Sequence, residues 1–204
     1  MNIINKQLCS KEHLSLQQLK EIAELIYDTD PYIYPAMFNS KSEALQLLPE
    51  LFRNGDKMFA LDNLFVAQMD KHIIGLILWV KGPLLWNDNV LLECADKKNL
   101  LVSKHLNVVK GQYFSSYRNT DKNEVSIINV CVETQFRKNG IGKGMLEAFF
   151  RETRIKDCRC ELYVLSNNIS AIQLYRDYGF NIVNEIPGFS TEEKKPRCFR
   201  MVRE

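Results

Sequence analysis

The sequence has no apolar run near the ~20 residues that a helix needs to cross a bilayer. Its longest, Ile73 to Val80, is short and carries Gly75. The N-terminal MNIINKQLCSKEH has no apolar h-region, so no secretory signal is expected, and the chain reads as cytoplasmic with no membrane partner. Histidine is scarce. His13, His72 and His105 lie far apart, and no metal site is expected. The cysteines, Cys9, Cys94, Cys131, Cys158, Cys160 and Cys198, form no CxxC pair. They read as reduced, mostly buried thiols. An excess of one charge is missing too: 27 Lys and Arg against 25 Asp and Glu leave a net +2. A dedicated nucleic-acid binder would usually show a basic stripe, so no nucleic-acid partner is expected. A local basic site for an anionic ligand is not excluded.

What is present is ordinary globular usage, 46% apolar and 25% charged over 204 residues. A chain of this length buries roughly 70% of its unfolded surface and holds a core without disulfides or metal. One domain, 1–204, is expected. Ser15-Leu16-Gln17-Gln18 fits a capping box, and Leu16, Leu19, Ile22, Ala23 and Ile26 recur at helical spacing, so a first helix runs to about Asp28. Asp30-Pro31 stops it. Ser40 to Glu43 repeats the capping pattern ahead of Ala44, Leu47, Leu48 and Leu51, a second helix that Pro49 bends or shortens and Asn54-Gly55 ends. Phe59 to Met69 and Ile73 to Val80 then read as strands across an Asp70-Lys71 hairpin turn. The stretch 82–123 reads as an insert, irregular or helical, with Leu100 to Val109 its best helix.

Val125 to Val132 is apolar on both faces and so a central strand. A helix follows the glycines of Asn139 to Gly144, Cys160 to Leu165 is a further strand, and Ser170 to Tyr178 a helix ended by Gly179. Asn181 to Glu185 and Cys198 to Val202 close as strands. The order, two helices, two strands, the insert, then strand, helix, strand, helix and two strands, is a mixed α/β single domain.

The sharpest feature is the segment from Val130 to Gly144, a buried strand running through glycines into a helix. Glycines let backbone N–H groups approach a ligand with no Cβ in the way. The first N–H groups of a helix have no internal acceptor, and the helix dipole adds positive potential, which suits a phosphate. Arg137, Lys138 and Lys143 add charge. From the glycines alone, a turn that merely relieves sterics remains open. A P-loop fails, because its first Gly would fall at Arg137 and its Ser/Thr at Gly144. The dinucleotide motif starts at Gly140 and Gly142, but its third Gly would be Met145.

Arg137-x-x-Gly140-x-Gly142 resembles the pyrophosphate loop of the GNAT superfamily of acyl-CoA-dependent N-acetyltransferases. Val164-x3-Asn168-x2-Ala171-x2-Leu174-Tyr175-x3-Gly179-Phe180 resembles that family's second signature, and together they cover roughly Val125 to Phe180. The resemblance implies a single GNAT-like domain of α/β (mixed α+β) class. A central mixed β-sheet would be flanked by helices, with splayed central strands binding acyl-CoA. Residues 1–55 would form a helical acceptor-side region and 125–180 the cofactor-binding core.

The activity implied is transfer of acetyl from acetyl-CoA to a primary amine by direct attack on the thioester. The acceptor would be a small molecule or a peptide, and the protein a monomer or homodimer. A regulatory acyl-CoA-binding module and transfer to a non-amine acceptor stay open. Val130, Cys131 and Val132 would line the cofactor arm, with the backbone of Val130 and Val132 pairing with its amides. The N–H groups of Lys138, Asn139, Gly140, Ile141, Gly142, Lys143 and Gly144, beside Arg137, would hold the pyrophosphate. Asn168 and Ala171 would contact the arm, and Tyr175 would sit near the thioester sulfur. Where some relatives carry a glutamate base on the central strand, this chain has Ser126. Glu124, on the same strand parity, is the candidate base, acting through a water. Cys131 reads as a buried thiol, since direct transfer needs no nucleophile. Tyr27, Tyr32, Tyr34 and Phe38 beside Asp28 and Asp30 suit a cationic amine or a packing cluster.

Overall fold

Ser15 begins the first helix as its spacing requires. Its hydroxyl accepts the N–H of Gln18 at 3.1 Å, and the Gln18 side chain accepts the N–H of Ser15 at 3.0 Å. The helix, α1 (Leu16–Tyr27), buries Leu19, Ile22, Ala23, Leu25 and Ile26 on one face. Ser15→Ala removes one half of this reciprocal cap and is expected to cost about 1 kcal/mol. Calorimetry should read that as a melting point lower by about 2–4 °C.

The computed structural model describes residues 2–8, 13–54, 57–84, 87–112, 120–153, 155, 157–189 and 196–204. Cys9 and Gly55 lie outside them, as does part of the 82–123 stretch. The chain opens not on a helix but on a strand, β1 (Ile3–Gln7), which pairs antiparallel with β2 (Leu64–Met69) from Ile3↔Met69 to Gln7↔Phe65. An edge strand is held by backbone hydrogen bonds on one side and needs little apolar patterning, so IINKQ gives no period-2 signal. A short α2 (Ile33–Met37) follows α1, then α3 (Lys41–Asn54), which continues past Pro49. Pro49 is buried, and the helix keeps its length. Strand β2 begins only at Leu64, after 3-10 turns at Lys57–Phe59 and Leu61–Asn63.

Asp70 and Lys71 both adopt positive φ, 48° and 73°, and turn β2 into β3 (His72–Lys81). Among its described residues the 82–123 stretch holds two helices, α4 (Asp88–Lys97) and α5 (Leu106–Gln112), rather than one at 100–109. Asn87 caps α4 by accepting the Asn89 N–H at 3.2 Å. Then come β4 (Val125–Val132), α6 (Ile141–Glu152), β5 (Cys160–Leu165), α7 (Ile169–Asp177), β6 (Asn181–Pro187) and β7 (Arg197–Arg203).

Among the described residues seven strands form one mixed sheet in the order β1-β2-β3-β4-β5-β7-β6, in which only β4 and β5 run parallel. One face packs under α1 to α5 through residues such as Ile22, Leu48, Leu76 and Cys131. The other packs under α6 and α7 through Phe65, Ile77, Met145 and Phe149. Gly75 of β3 is set by this second core, because a Cβ there would meet Met145 Sδ at 2.7 Å and the Cys131 carbonyl at 3.0 Å. No described helix is long and apolar enough to cross a membrane.

Candidate active site

The parallel pair is short. Strands β4 and β5 meet only at Val125↔Cys160, Ser126↔Glu161 and Ile127↔Leu162. Ile128 is then skipped in the register between β4 and β3, a bulge that bends β4 away. Beyond it Tyr163, Val164 and Leu165 pair with β7 alone, so a V opens between the two central strands. The Val125 N–H reaches the Arg159 carbonyl on the β5 side, and the Glu133 N–H reaches the Ile74 carbonyl on the β3 side. Counting the alternation through the bulge, the backbone groups of Val130 and Val132 face the open side of β4. The Val132 carbonyl accepts from Arg137 Nε at 2.8 Å.

At the mouth of the V a 3-10 turn, Thr134–Phe136, leads into the glycine loop. Lys138 and Gly140 take φ of 64° and 77°, the left-handed region, and Gly140 is the N-cap of α6 with no side-chain cap. The first bond into the helix is from the Gly144 N–H to the Gly140 carbonyl at 2.9 Å. The backbone N–H groups of Lys138, Asn139, Gly140, Ile141, Gly142 and Lys143 donate to no described group. They lie in the loop and first turn of α6, where the helix dipole is positive and a diphosphate would be favoured. Asn139 instead turns its amide inward, to the carbonyls of Phe136 and Arg137 at 3.3 Å each.

Helix α7 closes the other side. Asn168 is its N-cap, and its side chain accepts the Ala171 N–H at 3.3 Å. Tyr175 is 8% exposed, edge-on to Phe180 at 6.0 Å between ring centroids. Burial, and secondarily the Cys131 thiol, push its hydroxyl pKa well above the usual tyrosine value. The hydroxyl therefore stays protonated, a donor rather than a base. Burial also raises the Cys131 thiol, with Thr29 and Arg137 opposing it, so this cysteine is no ready nucleophile.

Glu124 is not brought to the V. It precedes β4 at the closed end of the pair, where its carboxylate accepts the Asp121 N–H at 2.9 Å and pairs with Arg159 Nη1 at 2.5 Å. The Asp121 N–H first, and Arg159 after it, hold its pKa below the ordinary value, which makes it a poor proton acceptor. Parity along β4 places it on the Ser126 side but carries no information on where the strands part.

Two features escape a reading of the sequence. Asn129 of β4, 4% exposed, accepts the Tyr34 hydroxyl at 2.7 Å and ties α2 to the wall of the V. Glu161 of β5, also 4% exposed, takes Arg200 at 2.9 and 2.7 Å and the hydroxyls of Ser126 and Thr120 at 3.3 Å each. A lone carboxylate in the apolar run CELYVL is the available signal. Two cavities border the site. One, about 860 Å3, lies between α1 and the loop, lined among others by Glu24, Asp28, Cys131 and Arg137. The other, about 240 Å3, lies against β5 and is lined by Asp30, Ile33, Tyr163, Leu165, Phe189 and others.

The mixed sheet parts between its two parallel central strands, and the loop at the mouth carries amides that donate to no described group. The chain belongs to the acetyltransferase (GNAT) family, whose model matches residues 21–180. A search of the curated proteins returns no match. Among solved structures, an N-acetyltransferase from Staphylococcus aureus is similar at 15% identity, with 98% of this chain and 99% of that one covered and a TM-score of 0.63. The NatC complex bound to Gag peptide and CoA is similar at 19% identity, 100% and 98% coverage and a TM-score of 0.57. An Arabidopsis thaliana protein in complex with the bisubstrate analogue CoA-Ac-MVNAL is similar at 14% identity, 100% and 99% coverage and a TM-score of 0.55.

Proposed function

We propose that the protein transfers an acetyl group from acetyl-CoA to a primary amine by direct attack on the thioester. The observation that carries this is the row of N–H groups from Lys138 to Lys143 that donate to no described group, set at the mouth of a V whose β4 wall turns the backbone of Val130 and Val132 inward. The diphosphate binds those amides with Arg137 beside them, and the extended arm runs between β4 and α7 past Asn168 and Ala171. The acyl donor supplies an activated carbonyl; the chain orients it and stabilises what develops. A backbone N–H of β4 near Cys131 and Val132 donates to the carbonyl oxygen as it becomes an oxyanion. The Tyr175 hydroxyl, held protonated by burial, donates to the departing sulfur. Residues 1–55 and the 82–123 stretch bound the acceptor, a small molecule or a peptide.

Two measurements test this. CoA and acetyl-CoA should raise the melting point, and acetyl-CoA with an amine panel should release thiol; no shift at millimolar coenzyme overturns the reading. Tyr175→Phe should keep the CoA shift and lower kcat by about 10- to 100-fold, the worth of one hydrogen bond to a charged group. An unchanged kcat would reduce Tyr175 to packing.

A further inference from the structure

The proposed transfer leaves open what takes the proton from the amine. An alkylammonium of pKa ~10.4 is only about 0.1% neutral near pH 7.4, so the acceptor site must supply a proton acceptor or select an amine of lower pKa. Glu124 is ion-paired at the closed end of the strands, and Glu161 has both oxygens engaged.

The 240 Å3 cavity holds a different carboxylate. Its apolar lining comes from Ile33 of α2, Leu165 of β5, Ile186 of β6 and Phe189 just beyond it, with Gln112 of α5, Tyr163 and Cys198 beside them. Asp30, at the turn between α1 and α2, is the one carboxylate among the described lining residues. One oxygen, Oδ1, accepts the N–H groups of Tyr32 at 2.7 Å and Ile33 at 2.8 Å, which fixes the side chain. The other accepts from no described group. Tyr163 and Leu165 line this cavity and also belong to the stretch of β5 that has left β4. The cavity therefore opens beside the V.

We propose that Asp30 binds the acceptor amine and takes its proton, and that the acceptor is a primary amine on a small apolar body. This rests on the reading of the V as the acyl-CoA cleft. The nitrogen lone pair forms the N–C bond, the C–S bond breaks with its pair going to sulfur, and a nitrogen proton passes to the Asp30 carboxylate. For an amine bound neutral, Asp30 then releases that proton to solvent and the thiolate takes one from solvent, so the net movement is one proton from nitrogen to sulfur; an amine bound as ammonium first gives up one further proton to solvent through the same carboxylate. A cavity of 240 Å3 falls below the ~300–1,000 Å3 of drug-sized sites, which limits the occupant to a body of amino-acid size. A carboxylate is a weak base, which favours an α-amino group of pKa ~7.7–8.0 over an alkylamine.

Burial raises the Asp30 pKa, and the two backbone N–H groups oppose that rise. The titratable groups facing it are Tyr163 of β5 and Cys198 of β7, whose thiol is pushed up to about 11 by burial and by Asp30 itself; Asp28, nearby on the chain, is paired with Lys41. Asp30 must be ionised to act, so kcat/KM falls as pH drops through its raised pKa.

Asp30→Asn tests this, since its amide oxygen still accepts from Tyr32 and Ile33. The probes are leucinamide and 4-methylpentanamide, which lacks the amine, titrated calorimetrically with and without CoA. Leucinamide should bind the variant at least tenfold more weakly, 4-methylpentanamide should bind both proteins alike, and the CoA melting shift should be unchanged. Turnover of leucinamide should fall by about 100-fold, with loss of the acidic limb that Asp30 provides. Equal leucinamide binding in the two proteins, no binding to the wild type at millimolar concentration, or an unchanged acidic limb overturns the role of Asp30. Failure of CoA to shift the wild-type melting point overturns the cleft instead, and the coenzyme-free titration keeps the two results apart.

Discussion

Gly142→Glu should erase the CoA-induced melting shift while leaving the protein folded. In the wild type, coenzyme at 100 times its dissociation constant adds ~2.7 kcal/mol, which in a domain of this size is about 5–10 °C. A Cβ at Gly142 would lie 3.6 Å from Leu174 Cδ2 and 3.8 Å from Val132 Cγ2, ordinary contacts. The position is in the first turn of α6, where any residue but proline is a better helix former than glycine and an acidic one complements the dipole. The variant without ligand should therefore melt at or slightly above the wild type. The same carboxylate occupies the amides that a diphosphate needs and repels it. A variant that retains the full shift would show that the coenzyme is held elsewhere.

Much of this scaffold is legible in the sequence because particular residues have only one local use. Ser15 with Gln18 marks a helix start, and Asp70-Lys71 a tight turn. Val125 to Val132 reads as central because both faces are apolar. The opening of the V is not legible. It depends on the bulge at Ile128, which no residue type encodes, and on where β5 stops pairing, which is a property of the register. That is why a parity count along β4 selects Glu124, whose position relative to β5 puts it at the wrong end. Strand β1 gives no signal because its partners are backbone groups, and α5 is misplaced because short helices in the 82–123 stretch take their shape from what they pack on.

Glu161→Ala should produce the largest loss of stability. The carboxylate gathers a cation and two hydroxyls at Ser126↔Glu161, the middle one of the few registers at which β4 and β5 still touch. Removing one partner of a buried ion pair costs about 3–5 kcal/mol, because the other charge is left without compensation. The Arg200 side chain is 33% exposed and regains some water, which places the loss near the lower end, about 3 kcal/mol. That corresponds to a melting point lower by about 6–12 °C. Replacing Glu161 and Arg200 together by leucine removes both charges and should recover most of it. If the cluster also fixes the apex of the V, Glu161→Ala should weaken CoA binding even at temperatures where the variant is fully folded, whereas the double replacement should bind nearly as the wild type does. A single variant that melts within a degree or two of the wild type would mean that backbone pairing alone holds the apex, and that the carboxylate contributes nothing to where the strands part.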